Sequence, residues 1–255
     1  MRIIIKNADF SVYGLADIGD LMSEVTAKFG GITDSAPVEA FFRSLGADGS
    51  NNIWGKIKAL YMPCLGVPAD GADALYDIIG KQNYPGSSYT VESKRGVGPT
   101  TMGSNIGALT VPPELVDDSL SGFFIVTQSA RQTLGSSSSN LIAIGGISVV
   151  WNKGALAFND GSVTVGLPVA DNFNSPQFGV LSKKTNGVRT IMAKDTSKTS
   201  AVAKVSNTYC LSGPSSWADT AVYAICENLT SDDAAIVASA LDTFITDFGV
   251  VSANA

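Results

Sequence analysis

The chain has 255 residues, 45% of them hydrophobic and 16% charged, with a formal net charge of −6. That length admits one large β-domain or two small ones, and the charged share falls below the usual quarter, with Ser, Thr, Asn and Gly in its place. There is no basic run to track a nucleic-acid backbone, and no histidine, which removes the commonest general base, the Ser–His and Cys–His nucleophiles and the usual zinc ligands.

Residues 1–30 read as a separate N-terminal piece. Arg2–Ile5 has a strand pattern, Asn7-Ala8-Asp9 a turn and Ser11–Leu15 a second short strand, and a helix pattern runs from Asp17 through Phe29 to Gly30-Gly31. So small a unit cannot bury its own core. It is expected to serve as a docking or oligomerisation segment, with Ile3, Ile4 and Ile5 on an intermolecular strand, since an unpaired apolar edge is an aggregation template. The same apolar stretch is too short for a signal-peptide core of about 7–15 residues. No run in the chain approaches the roughly 18 apolar residues of a membrane span.

Residues 31–62 form a helical lead-in. Ser35 is placed as the cap, Pro37 lies in the first turn, Val38, Phe41, Phe42 and Leu45 share one face, and Gly46 is the stop. Asn52 is expected to cap a second short helix carrying Ile53, Trp54, Ile57 and Leu60.

From residue 63 to 255 strand patterns dominate until the closing helix. The expected strands are Ala59–Met62, Tyr89–Ser93, Ala108–Val111, Gly122–Gln128, Leu141–Ile144, Ser148–Asn152, Ala155–Asn159, Ser162–Leu167, Gln177–Leu181, Val188–Ala193, Lys198–Val205 and Thr220–Cys226. Turn residues punctuate them, and Asn159-Asp160-Gly161 and Thr185-Asn186-Gly187 suit hairpin turns that need positive φ. Many short strands with such turns predict a mainly β fold, a jelly-roll sandwich. The strands end in Leu229-Thr230-Ser231-Asp232-Asp233, where Thr230 and Asp233 have capping-box spacing. Ile236, Val237, Ala240, Leu241, Phe244, Ile245 and Phe248 then form a helical apolar stripe, and Gly249 follows as a C-terminal stop.

The residue inventory offers little chemistry. Gly96-Val97-Gly98 lacks the Lys-Ser/Thr of a phosphate loop and reads as a loop between strands. Glu92 stands alone on its strand, Glu114 follows two prolines and Asp117-Asp118 sit in a turn, so no pair suits glycoside hydrolysis. Asp70, Asp73, Asp77, Asp160 and Asp171 are loop acids without a calcium-binding spacing. No catalytic residue, cofactor or metal is therefore expected. Cys64, Cys210 and Cys226 are too few and too scattered for a disulfide framework and read as buried free thiols. Trp151, Phe158, Tyr209 and Trp217 are the aromatics that suit a sugar-stacking platform. Trp151, Asn152 and Trp217 are the candidate carbohydrate contacts, against the commoner role of large aromatics as core.

Two stretches carry a family resemblance. One is Phe41-Phe42-Arg43-Ser44-Leu45-Gly46, followed by Ile53-Trp54-Gly55-Lys56-Ile57, then Leu75-Tyr76-Asp77. The other is the capped closing helix. Together they resemble the concanavalin A-like (laminin-G-like) jelly-roll proteins of tailed-phage virions, in order from about Ser35 to Gly249. The resemblance implies a structural protein of a virion: a head fibre, capsid decoration or tail-fibre subunit made in the bacterial host cytoplasm. It implies other virion proteins as partners and a homo-oligomer, commonly a trimer, with contact to host-surface glycans. A carbohydrate-binding, lectin-like module is the alternative function on the same fold. A glycoside hydrolase is a third, disfavoured by the missing acid pair. Nucleic acid and membrane insertion are not expected.

Overall fold

The computed structural model describes residues 17–30, 32, 34–69, 75–84, 89–99, 106–110, 119–128, 139–144, 147–152, 155–159, 164–168, 175–193, 196–200, 208–212 and 218–252. In chain order the elements are α1 (Ile18–Lys28), α2 (Ala36–Ser44), β1 (Ile57–Tyr61), β2 (Leu75–Asp77), β3 (Gln82–Tyr84), β4 (Tyr89–Glu92), β5 (Gly96–Pro99), β6 (Ile106–Thr110), β7 (Leu120–Gln128), β8 (Ser139–Ile144), β9 (Ile147–Asn152), β10 (Ala155–Asn159), β11 (Thr164–Pro168), β12 (Gln177–Leu181), β13 (Arg189–Ala193), β14 (Thr196–Ser200), β15 (Thr208–Ser212), β16 (Ala218–Glu227) and α3 (Ser231–Phe248). The expected strands Arg2–Ile5 and Ser11–Leu15 lie outside the described residues.

The fold is a mainly β sandwich of antiparallel sheets with a closing C-terminal helix. The larger sheet runs β14-β13-β12-β7-β16-β1-β2-β3, and the β4–β5 hairpin joins it where Val97 faces Thr220. The smaller sheet runs β11-β10-β9-β8-β15-β6. The sheets approach each other at β11 and β14, β7 and β8, and β15 and β16.

The larger sheet is built around the β7–β16 ladder, which runs from Ala218 opposite Gln128 to Glu227 opposite Leu120. All nine residues of β7 are buried, as are all of β16 but Glu227. Side chains alternate across a strand. Phe123, Ile125, Val222, Ala224 and Cys226 enter the core shared with the helices, while Phe124, Val126, Tyr223 and Ile225 are buried on the opposite face. A sheet covered on both faces favours continuous apolar runs over strict alternation, and Phe123-Phe124-Ile125-Val126 is such a run.

Three helices supply one cover. α3 lies against α2 and across β12 and β13. Its inward stripe is Val237, Leu241, Phe244, Ile245 and Phe248. Phe244 sits 4.7 Å from Phe41 and 5.0 Å from Phe248 between ring centroids, and Phe42 meets Trp54 edge-on at 5.3 Å. Leu21, Met22, Val25 and Phe29 of the α1 region join the same core. Ile236, expected in the stripe, is 44% exposed, because it sits off the centre of the buried face.

The capping box of α3 forms as the sequence predicts. The Asp233 N–H donates to the Thr230 hydroxyl (3.2 Å), and the Thr230 N–H donates to the Asp233 carboxylate (2.7 Å). Lys56, far away in sequence, reaches the same carboxylate at 2.5 Å. Gly249 takes the left-handed conformation (φ 72°) that ends the helix. The last turn of α3 carries no basic residue of its own. The Lys94 ammonium lies 6.0 Å from the Phe248 ring centroid and brings positive charge to that end.

Local expectations fail in three places. The helix expected after Asn52 is a single 3-10 turn, Trp54–Lys56, followed by strand β1. A register shift between Ile57 and Ala59 puts two residues where one is usual. Ile57 and Leu60 are therefore both buried, which in sequence mimics helical spacing. The expected loop Gly96-Val97-Gly98 is strand β5. A side chain on Gly96 (φ 119°) would collide with the Thr220 backbone, so glycine here permits strand approach. At α2 the Ser35 side chain makes no cap bond, and the Asp34 carboxylate accepts from the Ala36 N–H at 3.2 Å instead.

Two outcomes test this account. Gly96→Ala should lose more than about 3 kcal/mol of stability, since both φ and the Thr220 contact oppose a side chain; urea unfolding checks it. The second concerns acid. Burial pushes the Asp233 carboxyl up, but Lys56 and Thr230 outweigh it and hold it below its ordinary value. A depressed carboxyl gives stability above its unfolded pKa of about 3.9 that is lost as pH falls through the folded value. Asp233→Asn should therefore be less stable than wild type near neutral pH and converge with it as pH falls below the ordinary carboxylate range, in parallel unfolding curves.

Candidate functional site

Two groups of polar side chains stand out among the described residues. The first lies at the rim of the larger sheet. The turn between β4 and β5 passes through Lys94 at φ 64° and turns Arg95 inward. Arg95 Nε donates to the Asp219 carboxylate at 2.8 Å, and its terminal nitrogen pairs with Glu92. The Thr127 hydroxyl donates to the Arg95 carbonyl at 3.0 Å. The chain end closes over this rim: the Val251 N–H donates to the Lys94 carbonyl (3.1 Å), and the Gln128 N–H to the Ser252 hydroxyl (3.2 Å).

The chemistry of this rim is structural. Asp219 and Arg95 expose only 2% and 11% of their side chains, and two acids share one guanidinium. Acid–base hydrolysis needs two carboxylates with separate environments and substrate between them. A similar lock occurs at Arg189, fully buried, which donates to the carbonyls of Leu120 and Ser182. It ties the start of β7 to the end of β12.

The second group lines a groove between α1 and β2. Glu24 and Lys28, one turn apart on α1, face Tyr76 of β2. The Tyr76 hydroxyl donates to Glu24 at 2.7 Å, and the Lys81 ammonium reaches the other carboxylate oxygen at 2.5 Å. The Lys28 ammonium lies 4.6 Å from the Tyr76 ring centroid. Ala27 and Ala69 complete the lining. Burial pushes the Glu24 carboxyl up, but Lys81 and Tyr76 prevail and hold it below its ordinary value. The sequence reading did not single out this groove. The signal available was the Glu24/Lys28 spacing of four, which shares a helix face.

The sequence candidates for sugar contact fall on the smaller sheet or beyond the described residues. Trp151 and Asn152 are the last residues of β9. Trp151 pairs with Leu156 of β10 and Ser139 of β8, and Asn152 pairs with Ala155. Phe158 lies in β10 opposite Val149, and Tyr209 in β15 opposite Leu109. Trp217 lies outside the described residues, immediately before β16. Backbone pairing alone does not bring these aromatics to one platform.

Of the loop acids, Asp70, Asp73, Asp160 and Asp171 lie outside the described residues. Asp77 belongs to strand β2 and is buried. Burial pushes its carboxyl up, while the N–H groups of Leu60 and Ile79, each at 3.0 Å, act in the opposite direction. It joins β1 to the turn after β2 in place of serving as an open loop ligand. Among the described residues no group of three or more His, Cys, Asp or Glu is placed to hold a metal ion. Cys64 and Cys226 are buried free thiols, as expected, and burial pushes both thiols up. No described helix is long and apolar enough to cross a membrane.

No family model and no curated protein sequence matches the chain. Solved structures do. The binding domain of botulinum neurotoxin serotype D aligns at TM-score 0.50 and 12% identity, over 71% of this chain and 51% of that one. Two single-substitution variants of HCR/D are similar. A phenylalanine-to-alanine form has TM-score 0.51 and a tryptophan-to-alanine form 0.53, both at 12% identity, over 71% and 73% of this chain. The alignments span about half the length of those chains. At this identity the likeness is one of fold, a β sandwich. These structures carry no link to a phage particle.

The rim lock yields a prediction. Breaking a buried pair by removing one partner costs about 3–5 kcal/mol. Arg95→Met should show a loss in that range in denaturant unfolding. Arg95→Lys should recover only part of it, because one ammonium cannot reproduce the guanidinium fork shared by Asp219 and Glu92.

Proposed function

We propose that the chain is a non-enzymatic, lectin-like module that binds carbohydrate. The observation that carries this reading is the sandwich it shares, over some seven-tenths of its length, with toxin binding domains. The residue inventory supports it from the other side, since the chain has no histidine and the rim acids Asp219 and Glu92 are tied to Arg95. Trp151 and Asn152 of the smaller sheet, together with Trp217, are the proposed sugar contacts: indole faces stack on the C–H face of a pyranose, and an amide takes its hydroxyls.

The pattern shared with tailed-phage jelly-roll proteins supports a setting for such a module. In that proposal it is a subunit of a virion fibre, decoration or tail appendage, joined to sister copies and other virion proteins through residues 1–30. Glycan contact would then be contact with a host surface. Particle imaging with a labelled antibody tests the setting separately from the binding.

The binding test is a glycan array probed with the full chain and with Trp151→Ala and Trp217→Ala. Binding to at least one glycan class is expected, and at least one substitution should weaken it tenfold or more, about 1.4 kcal/mol. An array without binding would remove the reading. Glycan turnover abolished by changing a single Asp or Glu would replace it with a hydrolase.

A further inference from the structure

The hairpin between β12 and β13 ends in Thr185-Asn186-Gly187-Val188, and Asn186-Gly187 is the one Asn-Gly step in the chain. Both residues are exposed. Both have positive φ, 52° and 82°, the shape of a two-residue hairpin turn. An isolated bridge closes the turn: the Thr185 N–H donates to the Val188 carbonyl at 2.8 Å, and the Val188 N–H to the Thr185 carbonyl at 3.1 Å. Below it the Lys183 N–H leaves the hairpin for the Leu229 carbonyl, while the Ser182 N–H donates to the Thr190 carbonyl at 3.0 Å. An exposed tip held in this way opens locally at low cost. A Cβ on Gly187 would meet no atom within 4 Å, so the surroundings leave its backbone open to approach.

We propose that Asn186 is a site of spontaneous modification, deamidation through a cyclic imide. Asparagine is among the thermolabile residues, and glycine after it leaves the attacking nitrogen uncrowded by a Cβ. When the turn opens, the Gly187 backbone nitrogen attacks the carbonyl carbon of the Asn186 side chain. A C–N bond forms, the nitrogen loses its proton, and the side-chain amide leaves as ammonia. Solvent water then opens the five-membered ring at either carbonyl, giving aspartate or isoaspartate. Each product adds one negative charge to a chain whose net charge is −6. Their structural consequences differ. Asp-Gly suits the same turn, so aspartate leaves the hairpin intact. Isoaspartate routes the backbone through the side-chain carbon and lengthens a turn whose length sets the register. The hairpin leads directly into Arg189, which donates to the Leu120 and Ser182 carbonyls. Isoaspartate therefore loosens the lock between β7 and β12.

The test is peptide mapping by mass spectrometry of the full chain, incubated folded in mildly alkaline buffer until a urea-unfolded sample has lost the Asn186 amide. Isoaspartate is counted by methyl transfer from a protein isoaspartate methyltransferase. Asn186→Gly and Asn186→Asp, both suited to the turn, are treated alongside. In the folded chain Asn186 should convert at least tenfold faster than any other asparagine, and the methyl acceptance that wild type gains should be absent from Asn186→Gly. The isoaspartate-bearing fraction should unfold at lower urea than fresh protein, and Asn186→Asp should unfold with fresh protein. If Asn186 keeps its amide in the folded chain, or another asparagine converts first, the turn shields the site and the proposal is overturned. If isoaspartate forms at residue 186 and the urea midpoint does not move, its effect on the Arg189 lock is overturned.

Discussion

The ladder between β7 and β16 is the constraint on which the rest of the structure depends. It places a run of aromatic and branched side chains where both faces must be covered. Each cover is then dictated. Phe123, Ile125, Val222 and Ala224 need the helices, and Phe124, Val126, Tyr223 and Ile225 need the opposite layer. Burial at about 25 cal/mol per Å2 of apolar surface makes this the dominant favourable term. It also forces every polar backbone group at the ladder's ends to find a partner. The Leu229 N–H donates to the Ser121 hydroxyl, and the Asn228 N–H to the Ser119 carbonyl, so the chain leaves β16 already aimed at the start of α3.

The charged residues follow from that constraint. Arg95, Asp219, Arg189, Lys56 and Asp233 all sit where an element meets the edge or end of the larger sheet, and each is paired or bonded to backbone carbonyls. Buried charge is costly unless paired, so these groups specify how elements dock, and none is positioned as a reacting group. Groups on the periphery have more freedom. Lys81 is 65% exposed on its side chain, and Lys28 and Glu24 lie on a helix that joins the core along one face. The division is between a locked interior and polar groups with access to solvent at its margin.

Features whose physics is local were legible in the sequence. The capping box at Thr230 and Asp233, the left-handed Gly249 and the turn at Asn186-Gly187 depend on residues a few positions apart, and all appear. Strands β10 and β12 match their expected bounds because their patterns lie between clear turn residues. Features whose cause is tertiary were not legible. Strands β2 and β3 are three residues each and exist because they pair outward from β1. Strand β5 is glycine-rich, which reads as a loop until the Thr220 backbone is seen beside it. The groove needs Glu24 and Tyr76, 52 residues apart, and no spacing rule connects them.

Native-state hydrogen exchange tests the central claim most directly. If the doubly covered ladder organises the molecule, the amides of Phe123–Val126 and Val222–Ile225 should exchange only through global unfolding. Their opening free energy should equal that from denaturant melts, while amides of α1 exchange through smaller openings. Ladder amides that exchange as readily as those of α1 would contradict the account.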